Sequence, residues 1–179
     1  MASGGDHDLE ILPFRPELER DVLELIVGIQ RGEFGIEITA EEQPDLREIP
    51  AFYQVRGGNF WVALAGGRVV GTISLLDIGN GQGALRKMFV HPDHRGAGAG
   101  TAKRLLDTLL DWARAHGIRE IFLGTTAKFL AAHRFYEKNG FSEIARTALP
   151  PAFPIMAVDT RFFRRRLEAA YSRSAHTGA

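Results

Sequence analysis

At 179 residues the chain is close to one average domain, and its 45% apolar residues can fill one core without metal or disulfide staples. Twenty-two Lys and Arg offset twenty-two Asp and Glu, so no global field draws in nucleic acid or an acidic membrane surface. Cysteine is absent, which excludes disulfides, thiolate metal sites and a cysteine nucleophile, and leaves the redox compartment open.

The start, Met1 to Asp8, is small, polar and acidic; it lacks the charged-then-apolar order of a signal peptide, so the chain is expected to stay in the cytoplasm. Leu9 to Phe14 suits a first strand. Pro16 then fits a first helical turn, and Leu18, Val22, Leu25, Ile26 and Ile29 form one apolar stripe that ends at Arg31-Gly32. From Glu33 to Gly58 the pattern weakens and two prolines interrupt it, so the reading is a loop with one short helix near Asp45 to Val55. Phe60 to Ala65 and Arg68 to Asp77 are β-rich runs joined by the turn pair Gly66-Gly67. A third run, Ala84 to Val90, ends at His91-Pro92, because proline cannot donate to a ladder.

Beyond the glycines at 96, 98 and 100, the series Ala102, Leu105, Leu106, Leu109, Leu110 and Ala113 defines a helix up to Gly117. Ile118 to Thr125 reads as a buried strand and Lys128 to Lys138 as a helix closed by Asn139-Gly140. Phe141 to Arg146 and Ile155 to Arg164 read as final strands. The longest apolar stretches fall far short of the ~20 residues of a membrane-spanning helix. The layout is therefore a disordered start (1–7), one domain (8–167) and a flexible tail (168–179).

The densest signal is the passage from Val90 to Thr101, where a strand enters a glycine-rich turn and then a helix. The first N–H groups of a helix have no intrahelical partner, and the aligned dipoles leave roughly half a positive charge there, so a phosphate is a natural guest. Arg95 adds a permanent charge, and glycines at 98 and 100 let the main chain come close. A triphosphate loop would require Lys where Gly100 stands, and a dinucleotide fingerprint requires G-x-G-x-x-G in an early βαβ unit, so both fit poorly. A plain surface turn remains the alternative for the glycines alone. His91, Asp93 and His94 lack a further metal ligand and read as serving the turn.

Arg95-Gly96-Ala97-Gly98-Ala99-Gly100 resembles the R-x-x-G-x-G/A signature of the GNAT superfamily of N-acetyltransferases. Ala132 to Phe141 resembles the A-x-x-F-Y-x-x-x-G-F segment of the same family, and Leu85 to Val90 its central strand. The resemblance covers about residues 60 to 145, and two ordered motifs at this separation are more specific than either alone. It implies a mixed, mostly antiparallel α+β sheet of about seven strands flanked by about four helices, and acetyl-CoA as the bound acyl donor. The implied cofactor contacts are Met88, Phe89, Val90, Arg95 to Gly100, Thr101, Thr126, Ala132, Phe135 and Tyr136. Where many members carry Asn this chain has Phe129, which leaves one pantetheine hydrogen bond missing or supplied by Thr125 or Thr126.

By the same resemblance Tyr136 is the general acid on the departing sulfur and the Val90 N–H the oxyanion donor. The base is not identifiable: Glu33, Glu37 and Asp77 are carboxylates placed near the expected substrate side, and each also reads as a surface charge. Glu33 and Arg86 are the candidate substrate contacts, Arg86 for a carboxylate. The expected partner is a small-molecule amine or amino acid, without nucleic acid or membrane, and the family often forms homodimers. A non-catalytic acyl-CoA-binding or sensor module is the competing reading.

Overall fold

The computed structural model describes residues 9–96 and 98–168. The expected disordered start and flexible tail lie outside the described residues, apart from Glu168. Seven strands form one sheet: β1 (Glu10–Pro13), β2 (Asn59–Ala65), β3 (Arg68–Gly79), β4 (Gln82–Val90), β5 (Glu120–Thr125), β6 (Ser142–Ile144) and β7 (Arg161–Arg166). Four helices flank it: α1 (Glu19–Gly32), α2 (Ile49–Phe52), α3 (Thr101–Ala115) and α4 (Leu130–Lys138). The strand order is β1-β2-β3-β4-β5-β7-β6, and every pairing is antiparallel except β4 with β5.

The two hairpins follow from their turns. Gly66 and Gly67 (φ 58° and 78°) join β2 to β3, and Asn80-Gly81 (φ 56° and 69°) joins β3 to β4; left-handed pairs of this kind match strand twist. The second turn takes only two residues, so β4 begins at Gln82, ahead of the expected start at Ala84.

Alternation along the strands sends side chains to two cores. On one face Leu105, Leu106 and Leu109 of α3 pack on Ile73, Leu85 and Ile121. On the other, Val22 and Ile26 of α1 and Ile49 of α2 pack on Phe14, Phe60 and Val62. The chain leaves the sheet at Leu167, which is buried and whose N–H donates to Arg119 O at 2.7 Å. Among the described residues no helix is long and apolar enough to cross a membrane.

One element departs from expectation. The run Ile155 to Arg164 does not form one strand; β7 starts at Arg161. Asp159 closes a local turn instead, accepting the Met156 N–H on Oδ2 at 2.9 Å while its own N–H donates to Met156 O at 3.0 Å. Asp side chains favour such turns over ladders, and Ile155, Met156 and Val158 are left exposed.

Candidate active site

The parallel pairing of β4 with β5 covers only Gln82↔Glu120, Gly83↔Ile121 and Ala84↔Phe122. Beyond that rung the strands part, so β4 from Leu85 to Val90 has no partner on this side. The cause lies in β4 itself. Lys87 has φ 53°, and the β3 register slips between Thr72 and Ser74, which marks a bulge that turns the strand away. The carbonyls that the bulge disturbs are held by β3 hydroxyls: Thr72 Oγ1 donates to Lys87 O and Ser74 Oγ to Arg86 O, both at 2.7 Å.

Past the bulge the ladder fixes which way the backbone faces. His91 N–H donates to Val70 O at 2.8 Å, so Gly71 and Val90 are a non-hydrogen-bonded pair and the Val90 N–H and C=O point away from β3, into the gap. Met88, two residues back, faces the same way. The Val90 carbonyl is engaged by Arg95 Nε at 2.8 Å, which leaves the N–H.

At the mouth of the gap Gly96 (φ 101°) and Gly100 (φ 66°) make the turn, and Gly100 is the N-cap of α3 with no side-chain cap. The Thr101, Ala102 and Lys103 amides therefore open from an uncapped helix end, the arrangement that favours an anion. Ala97 lies outside the described residues. Gly98 has no left-handed φ and no atom within 4 Å of an added Cβ, so the protein's own packing does not require glycine there. His91 Nδ1 accepts the Asp93 N–H at 3.1 Å, which makes that imidazole a cap of the turn.

Arg95 is less free than the sequence suggests. Its guanidinium forms a two-pronged ion pair with Glu33, with Nη2 to Oε2 at 2.6 Å. That hydrogen bond holds the Glu33 carboxyl below its ordinary value against the opposing pull of burial, so Glu33 is a latch on Arg95 and a poor proton acceptor. Asp77 is also unsuited to be a base, because its carboxylate accepts the Gly57 and Gly79 amides, both at 2.9 Å, near the far end of β3. Glu37 is exposed.

Tyr136 of α4 is 6% exposed and lies across the gap. Its hydroxyl donates to Met88 Sδ on β4 at 3.7 Å, and its ring packs on Phe163, which pairs with Leu123 of β5, at 6.1 Å. Burial alone pushes the phenol above its ordinary value. Ala132 and Phe135 pack on the same core. Thr126 uses its hydroxyl to accept the Lys128 N–H at 3.3 Å and its carbonyl to accept from Phe129 N and His133 Nε2 at 3.1 and 3.0 Å. Phe129 meets Phe34 edge-on at 4.2 Å and joins the α4 start to the segment after α1.

Three groups escape a sequence reading. His133 is buried between Thr126 O and Arg161, whose Nη1 donates to Nδ1 at 2.8 Å; burial and that cation lower its pKa and keep it neutral. Lys87 turns its amine to the segment before α2, with Nζ donating to Gln43 Oε1 at 2.6 Å and lying 3.8 Å from Asp45 Oδ2. Tyr53 OH donates to the same Asp45 oxygen at 2.5 Å. Asp159 is the third, and its turn-forming type after Pro154 is the one signal that distinguishes it from strand.

The site is a strand pair opened by a bulge, with backbone donors lining one edge, an uncapped helix end at the mouth and a phenol across the middle. The acetyltransferase (GNAT) family model matches residues 23–141. The fold is similar to a GNAT-family acetyltransferase of Staphylococcus aureus Mu50, with 39% identity, TM-score 0.86, and 90% of this chain and 100% of that one covered. It is also similar to a Salmonella typhimurium structure that holds its cofactor acetyl-CoA, at 21% identity and TM-score 0.71, covering 94% of this chain and 99% of that one; this likeness concerns the fold alone. The N-acetylaspartate synthetase of Xenopus tropicalis is 38% identical over 104 residues, 56% of this chain and 37% of that protein. The chain spans less than half the length of the curated relatives it matches. It belongs to the GNAT family of acetyltransferases.

Proposed function

We propose that the chain moves an acetyl group from acetyl-CoA to the amine of a small molecule or amino acid, by direct attack of nitrogen on the thioester carbon. The observation that carries this reading is the buried Tyr136 hydroxyl lying across the β4–β5 gap beside Met88, on a path that begins at the uncapped α3 terminus. The similarity to an N-acetylaspartate synthetase supports an amino-acid acceptor.

The residues present fit coenzyme A. Amides of Thr101 to Lys103 and the turn at Gly96 to Gly100 receive the pyrophosphate, and the open space at Gly98 suits close approach by phosphate oxygens. The inward N–H groups of Met88 and Val90 hold the pantetheine arm and the thioester carbonyl, with Val90 as the oxyanion donor. Thr126, Ala132 and Phe135 line the far wall.

Tyr136 supplies the proton for the departing sulfur. An ordinary tyrosine near ~10 and a thiol near ~8.5 differ by roughly 2 kcal/mol in proton affinity. Burial raises the phenol above its ordinary value and so favours the protonated form that a general acid requires.

The test is thiol release from acetyl-CoA with a panel of amines, amino acids and peptides, beside calorimetry with coenzyme A. Turnover of at least one acceptor is expected. Tight binding of coenzyme A with no turnover across the panel would favour the sensor reading, and stabilisation by NAD or ATP but not by coenzyme A would overturn both.

A further inference from the structure

The narrow end of the gap holds two ionic groups that the mechanism above leaves unused. Ala84 of β4 and Phe122 of β5 are the last paired rung, and their side chains share one cluster on a single face of the sheet. Two residues on, each strand presents that face again, so Arg86 and Gly124 share the second level past the last rung. Gly124 has no side chain, and Asp159 fills its place. A Cβ built on Gly124 would lie 2.5 Å from Asp159 Oδ2 and 2.7 Å from its Cγ.

Arg86 forms no ion pair within 4.0 Å among the described residues. Its guanidinium lies over the rings of Phe52 and Tyr53 at 5.6 and 5.9 Å, and Nη2 touches Met156 Sδ at 3.6 Å. An aromatic and thioether cradle fixes the guanidinium while leaving most of its five N–H donors for an anion. The charged groups facing Asp159 are Arg86 and Lys87, both from β4, and the Met156 amide donates to it. Lys87 is directed away, onto Gln43 and Asp45.

We infer that this end of the gap is an α-amino-acid subsite: Arg86 grips the carboxylate, and Asp159 takes the proton that the ammonium must lose before it attacks. The inference rests on the acetyl-transfer reading above. A zwitterion matches one fixed cation opposite one carboxylate, whereas a simple alkylamine leaves Arg86 unmatched. Burial raises the Asp159 carboxyl above its ordinary value and lowers the neighbouring Lys87 ammonium. A carboxyl raised in this way is a better acceptor for the proton that the substrate must lose.

The protons balance. The ammonium gives one to Asp159; nitrogen then bonds to the carbonyl carbon as the π pair moves to oxygen. The pair returns, the C–S bond breaks, and sulfur takes the Tyr136 proton. The second excess proton on nitrogen restores the phenol, and Asp159 releases its proton to solvent, leaving N-acetyl amino acid and coenzyme A.

The test compares amino acids with their carboxamides as acceptors, in wild type, Arg86→Gln, Asp159→Asn and Gly124→Ala, with coenzyme A affinity as the control for folding. Wild type should prefer the acids. Arg86→Gln should raise KM for the acids by about 10-fold or more, the worth of a charge-assisted hydrogen bond, and leave the carboxamides unaffected. Asp159→Asn should lower kcat about 10²-fold and abolish the acid limb of the pH profile. In wild type that limb should lie above the ordinary Asp value of 3.8, since activity falls as the carboxylate protonates. Gly124→Ala, which displaces the carboxylate without removing it, should lower kcat at unchanged coenzyme A affinity.

Equal use of acids and carboxamides, or an unaltered pH profile in Asp159→Asn, would overturn the inference while leaving acetyl transfer intact. If coenzyme A binds and no amine turns over, the acetyl-transfer reading fails. The subsite is then judged by calorimetry of N-acetyl-L-aspartate and N-acetyl-L-glutamate on the coenzyme A complex: binding that Arg86→Gln weakens supports it, and no binding overturns it.

Discussion

Replacing Tyr136 by Phe separates a catalytic phenol from a packing one. The hydroxyl's recorded partner is Met88 Sδ at 3.7 Å, and a thioether is a weak acceptor. A buried hydroxyl without a strong partner costs about 1–3 kcal/mol in desolvation, so Tyr136→Phe should leave stability within about 1 kcal/mol of wild type or raise it. The ring contacts with Phe141 and Phe163, at 5.6 and 6.1 Å, are retained by phenylalanine. Turnover should respond differently. A lost general acid costs about 10²- to 10⁴-fold, equivalent to about 3–5 kcal/mol of barrier. Urea unfolding, coenzyme A calorimetry and thiol release measured on one preparation read all three quantities. Because burial raises the phenol above its ordinary 10.0, it stays protonated where an exposed tyrosine ionises, and wild-type kcat should show no decline from this group as pH approaches 10. Full turnover in Tyr136→Phe, or an activity loss that tracks a falling urea midpoint, would refute the assignment.

Three further outcomes follow from particular contacts. Glu33→Gln should tighten coenzyme A binding up to about fivefold, the worth of a surface ion pair, because it frees Arg95 for the pyrophosphate; weaker binding in calorimetry would show that Glu33 holds Arg95 in place for the ligand. Gly58→Ala should cost roughly 3 kcal/mol in urea unfolding, since its Cβ would meet Tyr53 O at 2.3 Å and Leu75 O at 2.7 Å, both backbone atoms. The pKa of His133 is lower in the folded chain than its ordinary 6.5, so the unfolded chain binds the proton first. Its contribution is complete above pH 6.5 and is lost as pH falls toward the folded value; thermal melts of His133→Asn should lack that slope.

The helices and hairpins were legible because each carries its own local code. The stripe from Ala102 to Ala113 and the turn pair Gly66-Gly67 need no knowledge of the rest of the chain. The features that make the site are not of this kind. The Lys87 bulge places a left-handed φ on a residue type with no preference for it, and its support comes from Thr72 and Ser74 on another strand. Asp159 stands in an apolar run that reads as strand, and the glycine that gives it room is 35 positions earlier in β5. The same limit applies to Arg95, whose charge is plain in the motif while its ion pair with Glu33 depends on where α1 ends.

The bulge is where fold and chemistry meet. An unbroken β4 would continue its parallel ladder with β5 past Ala84 through its odd-numbered residues, the set that already faces β5 where Glu120 N–H donates to Gly81 O, and Met88 and Val90 would face β3; the extra residue of the bulge reverses that phase. Turning the strand away forgoes those bonds, each worth about 1 kcal/mol net, and leaves donors aimed into a cleft. The loss is limited on the other side, because Thr72 and Ser74 hold the displaced carbonyls at hydrogen-bond distance. Arg86, before the bulge, keeps the face that alternation from Ala84 gives it and lies over Phe52 of α2, while the Lys87 amine reaches Gln43 in the segment before α2. One residue with positive φ therefore parts β4 from β5 and turns the Val90 N–H into the opening.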